Sequence, residues 1–226
     1  AVWNILHGSI YNSILGIPFL GNHLHLILFL VAPVYCLFRH PLTLLILESA
    51  SLGLVAVPLY RLARRLLDED WALVVCAVYL FYPALGFTNL FEFHPTVFAT
   101  FFLTLALYYY ECRSFGKFSA AVILSLLCQE NISLAVVMLG VLAFFEKRKV
   151  KWIIFPILSG VLYFLFAIRL MGYFNQDTVQ FFNLYSHLGQ TPREVFLHIL
   201  THPKILLAAF SKRESLIFLN NLFLPV

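Results

Sequence analysis

The stretch Asn89-Leu90-Phe91-Glu92-Phe93-His94-Pro95 joins two long apolar runs, and its reading decides the fold. It sets a carboxylate and an imidazole two residues apart with no Lys or Arg beside them. In an apolar chain, an acidic, histidine-bearing loop without basic residues predicts a face turned away from the cytoplasm. Ionisable groups in such a place predict a function as well. Of the 226 residues, 62% are hydrophobic and only 12% charged, whereas a soluble domain carries about a quarter charged residues. The apolar runs are about 15 to 22 residues long, and a bilayer core takes about 20 helical residues to cross. They lack the alternation of barrel strands. The sequence therefore predicts an all-α, multi-pass transmembrane helical bundle.

Outward from that stretch, the basic residues set the orientation. Arg61, Arg64 and Arg65, then Arg113 and Lys117, then Lys147, Arg148, Lys149 and Lys151 occupy three short loops between apolar runs. The positive-inside rule places all three in the cytoplasm. The loops at 89–95, 129–131 and 172–214 then lie outside, as does Arg39-His40-Pro41, so the apolar run from His23 to Phe38 does not cross. A helix over that run reaches about 24 Å, less than the bilayer core, and the reading is an interfacial or re-entrant helix at 23–38. All eight histidines fall on the outer side of this scheme. The chain reads as a single membrane domain over 1–226: an outer loop and interfacial helix over 1–41, spans over 42–171, an outer loop over 172–214, and the start of a further span over 215–226. An opening at Ala1 and a stop inside an apolar run predict a fragment of a longer protein. The net charge of +4 sits in short loops, so it bears on orientation and not on nucleic acid, and membrane lipid is the expected partner. Four scattered cysteines without a CxxC read as core residues.

Three acids, Glu48, Glu92 and Glu130, sit near the outer ends of helices. A carboxylate in or near hydrocarbon is costly and usually faces a cavity or a partner. Glu92 with His94 suits a general base, a metal ligand for a divalent ion or a substrate-holding pair. The plain alternative is a solvated helix-end loop with Pro95 opening the next helix. Gln129-Glu130-Asn131 lies between two short helices, so its polar groups form either a recess below the outer surface or a hydrogen-bonded turn. Glu48 lies six residues into a span. His23 and His25 lie two apart at a helix start, which puts them on opposite sides, and His23, after Gly21-Asn22, is the one expected to share a cavity. Thr191-Pro192-Arg193-Glu194 reads as a capped helix start. Arg193, Lys204, Lys212 and Arg213 are the main cations of an otherwise base-poor face. They suit a lipid phosphate, or ordinary headgroup anchoring. No Walker A, GxGxxG or HExxH occurs.

The order of these pieces is more specific than any one of them: Trp3-Asn4, His7-Gly8, Gly21-Asn22-His23, Leu30-Val31-Ala32-Pro33-Val34-Tyr35, Pro58-Leu59-Tyr60-Arg61, Phe91-Glu92-Phe93-His94-Pro95 and Gln129-Glu130-Asn131. Together they resemble a bacterial and archaeal family of predicted multi-pass membrane proteins of unknown function (the domain of unknown function numbered two thousand and seventy-nine), grouped with the GT-C glycosyltransferases. The resemblance covers nearly the whole chain. It implies a GT-C-like fold with an interfacial helix ahead of the second span, a site on the extracytoplasmic side of the cell membrane, and sugar transfer from a polyprenyl-phosphate donor. It implies that the base is an acid in a first outer loop, expected just upstream of Trp3-Asn4. It also implies that Glu92 and His94 occupy a second acidic position. The family usually has Gly-Asp-His and Lys-Glu-Asp where this chain has Gly21-Asn22-His23 and Gln129-Glu130-Asn131.

Two further classes compete with a transferase in which Glu92 and His94 are catalytic and His23, Glu48, Gln129, Glu130, Arg193, Lys212 and Arg213 bind substrate. A transporter or lipid flippase would use Glu48, Glu92 and Glu130 as a polar path, and a non-catalytic membrane protein would use none of them. Transporters favour internal repeats and charges near the midplane. This sequence has no repeat and gathers its polar residues at one end.

Overall fold

The computed structural model describes residues 1–175, 187–189 and 191–223. The described residues are mostly helical, in agreement with the all-α membrane fold expected. It begins with α1 (Val2–Leu6), a two-stranded antiparallel hairpin of β1 (Tyr11–Asn12) and β2 (Ile17–Pro18), and a single turn, α2 (Phe19–Asn22). After these come α3 (Ile27–Leu37), α4 (Pro41–Leu54) and α5 (Ala56–Ala63). The last two form one apolar unit of 23 residues, long enough to cross a bilayer. His40 caps α4 by accepting from Leu42 N–H, with Pro41 at the first helical position, so Arg39-His40-Pro41 ends one helix and starts the next.

Next are α6 (Glu69–Leu80), α7 (Pro83–Leu90), α8 (Val97–Glu111), α9 (Phe115–Leu126), α10 (Ile132–Phe145) and α11 (Val150–Phe174). Asp68 caps α6 through Trp71 N–H. The sequence predicts one span over Trp71–Thr88, but α6 and α7 are bent by 43°. The cause is Pro83, which drives Tyr82 before it into extended backbone (φ −64°, ψ 121°) and breaks the helix there. The segment read as an outer loop, 172–214, holds helices of its own: α12 (Pro192–Thr201), capped by Thr191 as its sequence predicts, and α13 (Lys204–Phe210). The final helix α14 (Arg213–Phe223) starts two residues before the expected run.

Two features of packing position the site. First, α10 and α11 lie antiparallel with their backbones in close approach. A Cβ on Gly140 would come within 2.8 Å of the Ile153 carbonyl, and one on Gly160 within 2.8 Å of the Ser133 carbonyl. Small residues at such a seam let helices pack closely in lipid. Second, the two helices differ in length. With Ser133 opposite Gly160, the turn before α10 lies level with Tyr163, while α11 runs on to Phe174. At 1.5 Å per residue, that turn stops about 16 Å short of the end of α11. The step is filled by the N-terminal segment: Val2, Phe19, Leu20, Leu24, Leu28 and Ala32 form one buried cluster with Ala167 and Met171 of α11. Gly21 lies against the backbone of Phe174, where a Cβ would stand 3.2 Å away. The outer face of α11, by contrast, exposes Ile154, Leu158, Leu162, Leu165 and Phe166, as a surface bathed in lipid requires.

Candidate functional site

Beneath that N-terminal cap, the turn between α9 and α10 meets the non-helical segment between α2 and α3. At His23 the backbone is extended (φ −140°, ψ 145°), and His25 N–H bonds back to the His23 carbonyl at 3.0 Å in a tight turn centred on Leu24. Leu24 is buried in the core, while His23 and His25 both reach the α9–α10 turn, with ring centroids 5.3 Å apart. This corrects the expectation of opposite sides, which assumed a helix from His23; α3 starts only at Ile27. His25 is the residue that the sequence reading set aside, and the break after Gly21-Asn22 was the available signal.

Four contacts fasten the two segments. His23 Nδ1 lies 2.8 Å from Glu130 Oε1, Leu24 N–H donates to Glu130 Oε2 at 3.0 Å, His25 Nδ1 lies 2.6 Å from the Cys128 carbonyl, and Ile27 N–H donates to the Leu127 carbonyl at 2.8 Å. A carboxylate and a carbonyl can only accept, so both imidazoles carry their proton on Nδ1 and present Nε2 as the basic atom. Gln129 Nε2 also stands 2.8 Å from His23 Nδ1, while its Oε1 takes the Thr96 hydroxyl at 2.5 Å. Two donors cannot face each other, so the amide is turned over: Oε1 faces His23 and the NH2 faces Thr96. Ser133 donates to the Glu130 carbonyl and closes the turn.

The cluster is nearly dry. The Glu130 side chain is 9% exposed and that of His23 23%. Burial pushes the Glu130 carboxyl upward, but hydrogen bonds from His23 and from Leu24 N–H outweigh it and hold the group below its ordinary range. Burial lowers the His25 imidazole, and the nearby His23 and His94 oppose its protonation further, against the partial support of the Cys128 carbonyl.

His94 connects this cluster to the opening stretch. Its Nδ1 bonds the Glu92 carbonyl at 2.6 Å, its ring stacks on Phe91, and its Nε2 stands 3.9 Å from Glu92 Oε1. Both side chains are open, His94 at 44% and Glu92 at 78% exposure. Glu48 is the reverse: it is 0% exposed on α4. It lies near the His94 backbone N–H and imidazole, yet neither of its oxygens makes a hydrogen bond of good geometry. Its neighbour Ser49 donates to Asn89 Oδ1 at 2.7 Å, which pins the start of the opening stretch to α4.

The sequence of the chain adds a name for this arrangement. A family model described as "Predicted membrane protein (DUF2079)" matches residues 1–226. The chain belongs to the DUF2079 family. No curated protein and no solved structure matches it.

Of the predicted site residues of this DUF2079 chain, the fold brings His23, Gln129 and Glu130 into contact, sets His94 beside them, and places Glu48 and Glu92 around His94. Lys212 and Arg213 lie exposed at the start of α14, with no contact to the cluster among the described residues. The side chain of Arg193 lies outside the described residues. Thr96 and the Cys128 carbonyl join the site unpredicted; Thr96 follows His94-Pro95 by a single position, and that adjacency was its only sequence signal. For a divalent ion, Glu92 and His94 offer two donors, and no group of three His, Cys, Asp or Glu side chains converges among the described residues.

Proposed function

We propose that this DUF2079 chain is part of a GT-C-like membrane glycosyltransferase, moving a sugar from a polyprenyl-phosphate donor to an acceptor on the extracytoplasmic face of the cell membrane. The observation that carries the reading is the buried Glu130–His23 pair at 2.8 Å, set below the rim of the bundle beside the open His94. A carboxylate that fixes an imidazole tautomer and leaves Nε2 basic is the arrangement of a proton acceptor. In a direct displacement, the acceptor hydroxyl oxygen bonds to the anomeric carbon, the bond to the donor phosphate breaks, and the hydroxyl proton passes to the base. The resemblance assigns an upstream acid to that proton. Glu130 and His23 then orient the acceptor or share the proton, with Gln129 and Glu48 as buried neighbours and Glu92 and His94 on the open side. Arg193, Lys212 and Arg213 are the cations available to the leaving phosphate.

Transfer from a labelled polyprenyl-phosphate sugar, measured in membranes containing the full-length protein, tests this. His23→Ala, Glu130→Gln and His94→Ala are each expected to lower the rate about 10²-fold or more, the range for a proton-transfer group. Undiminished transfer in all three would overturn the site. A transporter is the second reading, and the bent α6–α7 pair beside the unbonded Glu48 favours it, since broken helices and buried carboxyls mark substrate paths. It predicts uptake or flipping sensitive to Glu48→Gln with no covalent product.

A further inference from the structure

At the opposite end of the bundle, the C-termini of α8 and α10 meet the start of α11 around a recess of about 580 Å³. Arg113, Glu146, Lys147, Arg148, Lys149, Lys151 and Trp152 line it. Its floor is rigid. Arg148 Nε lies 2.9 Å from Glu146 Oε2 and 3.2 Å from the Tyr110 hydroxyl, and Nη2 lies 3.2 Å from Glu111 Oε1. The same guanidinium sits 4.5 Å over the Tyr110 ring. Trp152 packs edge-on against Tyr110 and Phe115, and Lys151 covers the Phe115 ring at 4.6 Å. Arg148 therefore satisfies the only carboxylate of the lining and locks the two basic loops together.

The rim is different. Arg113, Lys147 and Lys149 are exposed and make no ion pair among the described residues. Arg113 (φ 54°) and Lys147 (φ 53°) each follow a helix end in left-handed backbone, a position where Gly or Asn is the usual residue. Three uncompensated cations from two loops thus converge over a preformed polar floor. Beside them Phe144, Phe145 and Val150 are exposed apolar side chains, continuous with the lipid-facing side of α11.

We propose that this recess binds the phosphate of an anionic phospholipid headgroup, with the acyl chains lying along the apolar face beside it. A free phosphate would match the cations equally well, but it would leave the adjoining apolar rim without a role, and a lipid uses both. The recess lies on the face that the positive-inside rule assigns to the cytoplasm, where anionic lipid is attracted by such clusters. The proposal is independent of sugar transfer.

Native mass spectrometry of the full-length protein, released from membranes containing phosphatidylglycerol and phosphatidylethanolamine, reads retained lipid directly. The test variant is Arg113→Asn/Lys147→Asn/Lys149→Gln. Asn tolerates left-handed backbone, so the helix ends are preserved. The control is Arg61→Gln/Arg64→Gln/Arg65→Gln, which removes as many cations from the neighbouring basic loop. At roughly five-fold per cation near the surface, the test variant is expected to retain phosphatidylglycerol about 100-fold more weakly, while the control holds it and phosphatidylethanolamine is bound weakly throughout. Equal loss in both variants would show a diffuse surface charge and overturn the proposal. So would displacement of the lipid by millimolar inorganic phosphate, which would mark a free-anion site. Each single substitution lowers retention about five-fold, which separates loss of contacts from loss of fold.

Discussion

The His23–Glu130 contact admits a quantitative test, because it ties two segments more than a hundred residues apart. Glu130→Ala removes an acceptor that takes His23 Nδ1–H at 2.8 Å and Leu24 N–H at 3.0 Å, and it leaves that buried N–H unpaired. Hydrogen bonds to a charged group contribute about 1.5–3 kcal/mol each, and breaking a buried pair costs about 3–5 kcal/mol. His23→Ala removes one of the two bonds and costs about 1.5–3 kcal/mol. The double variant loses that shared bond only once. Its destabilisation should fall short of the sum of the singles by about 1.5–3 kcal/mol, near the upper end of couplings between contacting residues. Reversible unfolding of the full-length protein in mixed micelles, titrated with denaturing detergent, measures the four corners of the cycle. The Glu92–His94 pair, 3.9 Å apart and open to solvent, serves as the contrast and should couple by about 0–1 kcal/mol. A His23–Glu130 coupling no larger than that of the exposed pair would refute the buried dyad, and with it the site.

Other perturbations follow from the same structure. Stability should fall in two stages on acidification. His25 is held below its ordinary 6.5, so the unfolded chain takes the proton first and stability declines as pH drops below 6.5. Glu130 is held below its ordinary 4.5, so its contribution, complete above 4.5, is lost as pH falls through the lower folded value. His25→Gln should flatten the first stage and Glu130→Gln the second in a pH series of detergent unfolding curves. Gly140→Ala and Gly160→Ala should each destabilise by about 1–3 kcal/mol through overpacking at the α10–α11 seam. Gly53→Ala, where a Cβ meets nothing within 4 Å, should be neutral or stabilising, and equal effects at all three positions would deny the close approach. Glu48→Gln should leave thermal stability unchanged or raised, since it removes an ionisable group buried without a hydrogen bond, while lowering transfer or transport. A large loss of stability would assign Glu48 a structural partner instead.

What the sequence disclosed depended on whether a local rule survived its tertiary setting. Composition and run length were enough for the membrane fold, because no soluble packing accommodates so many exposed apolar side chains as α6 and α11 carry. The helix start at Thr191 was legible because its cap is local; His40 and Asp68 cap α4 and α6 in the same way, but were read only as breaks between apolar runs. The break at Tyr82-Pro83 was missed, because the apolar run across it reads as one span; Pro83 was the signal. Gln129-Glu130-Asn131 between two short helices suggested a recess or a hydrogen-bonded turn; the turn is hydrogen-bonded, and the N-terminal segment fills the step between α10 and α11 above it. The pairing of His23 with Glu130 was beyond reach, since no local pattern links positions that far apart. The exclusion of His25 failed for a definite reason: helical periodicity does not hold over His23–His25, which precede α3 in an extended residue and a tight turn.

That irregular segment is also why the cluster can exist. Buried carboxylates and imidazoles in a lipid-bathed bundle need donors and acceptors that a regular helix has already used on itself. The four residues between α2 and α3 and the turn between α9 and α10 are where backbone groups are spare. Leu24 N–H, Ile27 N–H and the carbonyls of Leu127 and Cys128 all bond across the gap. Irregular backbone at this depth is tolerated only where protein covers it or a cavity adjoins it, and here α1, the hairpin and α2 provide the cover. The polar groups thus lie below the rim yet next to the open His94. The proposed transferase would use that depth, because the headgroup of a lipid-borne donor lies there while the acid stays covered from bulk water.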